Sequence, residues 1–280
     1  MLTLILMLAA AAAAAFFTYT AGDGGHWGWA ILSFVAGALA VAIPLNLWMR
    51  KKLNAIFNRV QQALVEANAA IQRKAQAMQN RGMGGPSLIA KFEKEQADAV
   101  RNVLPMLDEV NPLKKWNIMA SKQADILRGQ LLFQIRDYEA ARPLLSSSML
   151  VADPALYCIQ MVLHYRKDNK ETEKLDAMFK KGVSRFKYDR ATLIYTLYSW
   201  ILVKLNRITE AVTILYDGKK KTEPPVIIQN WQHLANNHVA KFSNAGLGEQ
   251  WYILGLEQPA PVRQRQQMPF GGGRPGRAMR

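Results

Sequence analysis

The hydrophobic pattern of the chain begins with two long uncharged stretches. Residues 1–20 and 27–49 contain no Asp, Glu, Lys or Arg, and only six residues separate them. Each stretch is about as long as the ~20 apolar residues that a helix needs to cross a bilayer. Because so short a connection joins antiparallel neighbours, the pattern predicts a transmembrane hairpin in residues 1–49, with spans at about 2–20 and 27–49.

Three consecutive cations, Arg50, Lys51 and Lys52, follow the second stretch. Basic residues next to a membrane span stay on the cytoplasmic side, so they place the N-terminus and the C-terminal body in the cytoplasm. An alternative interpretation makes residues 1–15 a cleaved signal peptide, although the positively charged start of such a peptide is missing. Both interpretations predict an integral membrane protein with a cytoplasmic body, most simply in a bacterial inner membrane.

Beyond the cations, apolar residues recur at alternating steps of four and three. We call this series the seam; it consists of Leu53, Phe57, Val60, Leu64, Ala67 and Ile71. Such heptad spacing predicts an amphipathic stalk helix from Arg50 to about Arg81, roughly 45 Å long, before a glycine-rich break closes the region at residue 86. Either the stalk dimerises as a coiled coil and lifts the body off the membrane, or it lies on its own domain or on lipid headgroups.

Residues 87–258 show helical periodicity throughout and no strand-like alternation, so the predicted fold class is all-α. Ser87 is a fair N-cap for a helix that carries Leu88, Phe92, Val100 and Leu104 on one face. Asn111-Pro112 is expected to end that section.

One spacing recurs three times within this body. The repeated positions are Gly129, Ala141, Leu145, Ser148 and a closing Pro154; then Leu163, Leu175, Phe179 and Gly182; then Ser199, Ala211, Leu215, Gly218 and a closing Pro224. The series resembles the tetratricopeptide repeat over about residues 122–225. The resemblance implies stacked helix pairs in an α-solenoid. The middle unit departs from the family in its large residues and missing proline, and generic antiparallel helical hairpins are the alternative.

The resemblance also implies a concave groove lined by the first helix of each unit. The groove positions carried over in this way are Gln123, Ile126, Gln130, Phe133, Gln134, Tyr157, Gln160, His164, Lys167, Trp200 and Lys204. Glutamines and aromatic residues with a few cations would suit an extended protein or peptide ligand. In the competing interpretation the aromatic residues are only core.

The net charge of +15 permits contact with anionic lipid or with nucleic acid. The final segment, 259–280, has no acidic residue and few apolar ones, which predicts a disordered tail. Its charges are Arg263, Arg265, Arg274, Arg277 and Arg280.

No set of residues indicates catalysis or a cofactor. His233 and His238 are five apart, which is a poor spacing for a shared metal, and Cys158 lies in an apolar run that favours a buried, inert thiol. We therefore expect no enzyme and no cofactor, but a membrane-anchored scaffold that binds a partner protein. The alternatives are a nucleic-acid or ribosome tether, and a bilayer-organising protein that acts through its hairpin and stalk. The protein could also form a homodimer through the stalk.

Overall fold

The computed structural model of the protein describes residues 2–21, 27–81, 86–116, 118–146, 152–168, 172–222 and 224–258. Within these ranges the only regular secondary structure is helical, which confirms the all-α fold class. The α-helices are α1 (Leu2–Ala21), α2 (Trp27–Asn80), α3 (Pro86–Val103), α4 (Ile118–Gln134), α5 (Tyr138–Ser146), α6 (Pro154–Lys167), α7 (Thr172–Arg185), α8 (Thr192–Lys204), α9 (Ile208–Thr222), α10 (Pro225–Ala235) and α11 (Glu249–Tyr252). Four 3₁₀ helices are η1 (Leu104–Lys115), η2 (Tyr188–Ala191), η3 (Val239–Lys241) and η4 (Ala245–Leu247).

Helix α1 lies against the first half of α2 through small residues. Ala11 is completely buried, and a Cβ atom added to Gly37 would lie 2.9 Å from the Cβ of Ala14. The rings of Tyr19 and Trp27 are 5.7 Å apart at the other end of the contact, so the two helices run antiparallel. Small residues allow this close approach, and the large apolar side chains of both helices face outward.

By length and composition, α2 is long enough and apolar enough to cross a membrane, and none of its most apolar stretch is buried. This confirms the expectation of a membrane-length apolar helix near the N-terminus. Within the part of the chain whose side chains are described, α1 contributes a shorter apolar helix, Ile5–Thr20.

The apolar stretch and the stalk form one uninterrupted helix. Helix α2 contains 54 residues, passes through Pro44 and continues to Asn80, a length of about 80 Å at 1.5 Å per residue. The boundary expected between the transmembrane hairpin and the stalk, at residues 49 and 50, therefore lies inside a helix.

The stalk packs onto its own domain. Val60 is only 1% exposed and lies in a cluster with Val100, Val103, Leu107 and Leu131, while Ile56 joins Val110, Leu113, Ala120 and Ala124. Lys74 pairs with Glu95 at 3.0 Å, and Arg59 pairs with Glu109. The α2 stalk, α3 with η1, and α4 thus form a three-helix bundle, in which the chain itself covers the seam from Leu53 to Leu64.

Two expected helix boundaries are wrong. Ser87 lies inside the first turn of α3, because the helix already begins at Pro86, whose fixed φ suits a first turn. The α-helix ends at Val103, because Pro105 has no N–H group with which to continue the i→i−4 hydrogen bonds, and the chain continues as η1 through Pro112.

The turn between α4 and α5 and the turn between α8 and α9 have the same geometry. Arg136 and Asn206 both have positive φ, at 63° and 59°. In each turn, the backbone N–H group of the next residue donates to a carbonyl in the last turn of the preceding helix. Asp137 donates to Leu132 at 2.9 Å, and Arg207 donates to Leu202 at 2.8 Å. This is the Schellman arrangement, and it joins α4 to α5 and α8 to α9.

The repeated positions lie in the core. The closing prolines Pro154 and Pro224 are half-buried. The other described members of the series are all buried: Gly129, Ala141, Leu145, Leu163, Leu175, Phe179, Gly182, Ser199, Ala211, Leu215 and Gly218. Ser148 lies outside the described residues. A Cβ atom on Gly129 would lie 2.6 Å from Cγ of Leu145, so a small residue is required where α4 meets α5. One hydrophobic core extends from α4 to the C-terminal residues.

Replacing Val60 by Asp should destabilise the bundle, because a carboxylate would replace a buried methyl pair among apolar neighbours. We expect a loss of about 3 kcal/mol in the free energy of unfolding, measured by denaturant titration in detergent. Val65, which is 60% exposed on the same helix, supplies the matched control V65D. Equal effects of the two variants, or a loss that depends on protein concentration as in a dimer seam, would contradict intramolecular packing.

Candidate functional site

A cleft of about 540 Å³ lies between α4, α6 and the C-terminal residues. We call it the inner groove. Its lining includes Gln130, Phe133, Gln134, Tyr138, Tyr252 and Ile253. The Phe133 and Tyr138 rings meet edge to face at 5.3 Å, which gives the groove an aromatic wall. The glutamines provide hydrogen-bond donors and acceptors near an apolar surface, a combination that suits a peptide.

The chain's own C-terminal segment, residues 249–258, occupies the space beside this groove. Trp251 and Leu254 are completely buried. The Glu257 carboxylate accepts hydrogen bonds from the indole N–H groups of Trp200 at 2.7 Å and Trp251 at 2.8 Å. Arg166 donates to the Gly255 carbonyl at 2.8 Å. The inner faces of α6 and α8 are therefore covered from within the molecule.

The structure divides the predicted groove residues among several places. Gln130, Phe133 and Gln134 line the inner groove together. Trp200 lies against Trp251 with ring centroids 6.0 Å apart, and the Lys204 ammonium lies 5.2 Å from the Trp200 ring centre. Gln123 is exposed, and Ile126 is half-buried against the main core.

The predicted residues of α6 face away from the inner groove. Gln160, His164 and Lys167 line a separate cleft of about 380 Å³, together with Arg142 and Lys174. Gln160 donates to the Leu145 carbonyl at 2.5 Å. Ile159 lines the inner groove instead, one residue away, which corresponds to about 100° of rotation around a helix.

Tyr157 is a core residue between α6 and α7. Its hydroxyl donates to the Met178 carbonyl at 2.6 Å, and its ring lies 5.8 Å from that of Phe186. Burial is the main cause that raises the pKa of this phenol. The interpretation of this aromatic residue as core is therefore correct, and the second predicted unit contributes none of its four named residues to the inner groove.

A basic cleft of about 450 Å³ was not predicted from the sequence. It is lined by Lys187, Tyr188, Lys220 and Lys221 at the ends of α7 and α9. Tyr188 is 76% exposed and has a φ of 56°, which is unusual for an aromatic residue. The only sequence signal was the run Lys219–Lys221. The nucleic-acid alternative would depend on a surface of this kind, because clustered lysines attract phosphates.

A polar network connects α7, α8 and the turn before α9. The Tyr198 hydroxyl donates to Asp176, and burial together with this bond raises the pKa of the phenol. Arg207 pairs with Glu210 at 2.5 Å and with Asp176 at 3.5 Å. The bond from Arg207 lowers the pKa of Glu210. The four groups form one chain of contacts, from Tyr198 through Asp176 and Arg207 to Glu210, so the network has a structural role.

Two other kinds of reactive site would be a metal centre and a nucleophilic thiol. Among the described residues, no three His, Cys, Asp or Glu side chains gather where they could hold a metal ion. Cys158 is a free, completely buried cysteine, and burial raises the pKa of its thiol. This confirms that Cys158 is buried, and a thiol held protonated is a poor nucleophile.

Of the two predicted charge features, the basic triplet lies within the described residues and the tail does not. Arg50, Lys51 and Lys52 are exposed on α2, and the Lys52 ammonium lies 4.5 Å from the Trp48 ring centre. The five arginines of the tail lie outside the described residues.

Comparison with protein-family models, with curated proteins and with solved structures finds no match to this chain. Its class is therefore defined by its own architecture: an all-helical protein in which one continuous helix joins an exposed apolar stretch to a packed body.

Replacing Glu257 by Ala should loosen the C-terminal segment, because two indole N–H groups would lose their acceptor. The expected cost is about 1–3 kcal/mol. Tryptophan emission should shift to longer wavelength, and amide exchange should accelerate selectively in residues 249–258. The matched control is Q258A, which alters the exposed neighbour. Unchanged exchange in E257A would mean that burial of Trp251 and Leu254 alone holds the segment.

Proposed function

We propose that the protein is a membrane-anchored helical scaffold that binds a partner protein or peptide at the cytoplasmic face of a membrane. The observation that carries this proposal is the continuity of α2. Its first half exposes apolar side chains, and its second half is a wall of the body's three-helix bundle. A body joined in this way holds its ligand at a fixed distance and orientation relative to the bilayer.

Helices α1 and α2 would form the transmembrane hairpin. Exposed apolar side chains such as Leu39, Ile43 and Leu47 favour a lipid environment, at about 25 cal/mol for each Å² of apolar surface removed from water. Within helices the backbone polar groups away from the ends pair with one another, as a bilayer requires, except at the Ala40 carbonyl, because Pro44 has no N–H group to donate to it. No ionisable residue lies in the apolar part of either helix, so we propose an anchor without an ion pathway.

The body would be a solenoid that resembles tetratricopeptide repeats. Burial of the repeated positions and the turn geometry shared by Arg136 and Asn206 support this interpretation. Stacked helix pairs bury a continuous core and leave the inner ends of their first helices available for ligands.

The inner groove is the proposed partner site. Gln130 and Gln134 would bond to the backbone of a peptide, and Phe133, Tyr138 and Ile253 would contact its apolar side chains. The C-terminal segment fills the neighbouring faces of α6 and α8. The ligand would therefore be short, and it would lie between α4 and residues 252–253.

Flotation tests the membrane anchor. The full chain should float with membrane vesicles after an alkaline carbonate wash, whereas a chain lacking residues 1–49 should be soluble and helical by circular dichroism. Deletion of residues 259–280 is the control and should not prevent flotation. A chain without residues 1–49 that still floats, or a full chain that carbonate removes, would contradict the proposal.

Cysteine labelling in cells tests the orientation. Gln61 is exposed on α2 beyond the basic triplet, and buried Cys158 should give no background. An impermeant maleimide should label Gln61→Cys only after the membrane is permeabilised. Labelling in intact cells would place the body outside.

Site-specific photocrosslinking tests the partner site. A benzophenone amino acid at Gln134, on the inner groove, should give a discrete protein adduct in cells. The same amino acid at Lys180, exposed on α7, should not give that adduct. Identical adducts at both positions, or no adduct at Gln134, would contradict a partner in the groove.

A further inference from the structure

The end of the three-helix bundle nearest the apolar half of α2 brings together aromatic and cationic residues from distant parts of the chain. We call it the membrane-proximal rim; its residues are Trp48, Lys52, Lys114, Lys115, Trp116 and Met119. The Trp48 and Trp116 rings are 6.5 Å apart, edge to face, although 68 positions separate them in the sequence. The connection from η1 to α4 thus reaches the level at which α2 leaves its uncharged stretch.

We propose that this rim is a contact surface for anionic phospholipid headgroups in the leaflet from which α2 emerges. The proposal rests on the membrane anchoring proposed above and adds a second part of the chain to the membrane interface. The body then sits directly on the bilayer, and the stalk does not lift it away.

The chemistry of the rim matches a bilayer surface. Indole rings with a polar edge and an apolar body are enriched at the boundary between hydrocarbon and water. Met119 is 45% exposed and adds apolar surface at the same end of the bundle. Lys114 and Lys115 are exposed beside Trp116, and Lys52 lies over Trp48.

The charge of the rim has one sign. No Asp or Glu occurs between Asn111 and Ala124 or between Arg50 and Val65. Glu109, the nearest acidic residue before the rim, pairs with Arg59. The cations of the rim therefore have no competing carboxylate in their own stretches of sequence. Each lysine near an anionic surface strengthens binding to that surface about fivefold.

Packing fixes the rim relative to α2. Ile56 contacts a cluster that includes Leu113 and Ala120, one on each side of the connection. Because these contacts hold the connection against α2, insertion of α2 brings Trp116 and Met119 to the headgroup level. The continuity of the rim with the apolar stretch selects lipid as the occupant.

Depth-dependent fluorescence quenching in proteoliposomes tests the proposal on the full chain. Met119→Cys would carry an environment-sensitive fluorophore, and buried Cys158 should not react. Gln134→Cys, at the far end of the same helix and about 22 Å away, is the positional control. Lipids with nitroxide-labelled headgroups should quench the fluorophore at residue 119 strongly and the one at residue 134 weakly.

Lipid selectivity tests the lysines. At equal mole fraction, nitroxide-labelled phosphatidylglycerol should quench residue 119 more than nitroxide-labelled phosphatidylcholine. K114Q/K115Q should lower this preference at least about threefold. K180Q/K181Q, which alters two adjacent exposed lysines on α7, should leave it unchanged.

Failure of the membrane anchor and failure of the rim proposal give different results. A chain that does not float with vesicles contradicts the membrane anchor itself. A chain that floats while iodide in water quenches residues 119 and 134 equally overturns the rim alone. Shielding of residue 119 from iodide without quenching by labelled lipid would indicate a second copy of the chain and would also overturn the proposal. Equal quenching by labelled phosphatidylglycerol and labelled phosphatidylcholine would overturn it as well.

Discussion

The packing of the second half of α2 against α3, η1 and α4 is the constraint on which the rest of the structure depends. Val60 and Ile56 are buried in two clusters that hold all three partners to one face of α2. Because the same helix begins with an exposed apolar stretch, this face joins the apolar stretch to the body without a flexible joint. A coiled-coil seam would need the same residues, and the chain already covers them as far as Leu64.

The second organising feature is the C-terminal segment. Glu257 satisfies two tryptophan N–H groups, and Trp251 lies fully inside the body. This arrangement closes the inner faces of α6 and α8 with residues that follow α10 in sequence. The segment acts as a cap in the physical sense, because it covers apolar surface that the last helix pair cannot bury by itself.

The predictions from sequence agree best with the structure where a feature depends only on residues that are close together in the chain. Uncharged stretches, helical periodicity and the positions of small residues depend on near neighbours. The structure contains the all-α fold and a membrane-length apolar helix, and it buries the small positions Gly129, Gly182 and Gly218. The turns at Arg136 and Asn206 are equally local, because a Schellman motif involves only six residues. The α-helix ends at Val103 and not near Pro112 as expected, because Pro105 comes first along the chain and already interrupts the helix.

The sequence by itself determined which residues avoid water, and only the tertiary structure decided what they pack against. The seam on α2 had the spacing for a partner, yet periodicity cannot distinguish a second copy from the chain's own α3 and α4. On α6, an offset of one residue turned Gln160 and His164 away from the groove that Ile159 lines, because each residue rotates a helix by about 100°. Contacts such as Trp200 with Glu257, 57 residues apart, depend on how the helices stack, and no local pattern records that.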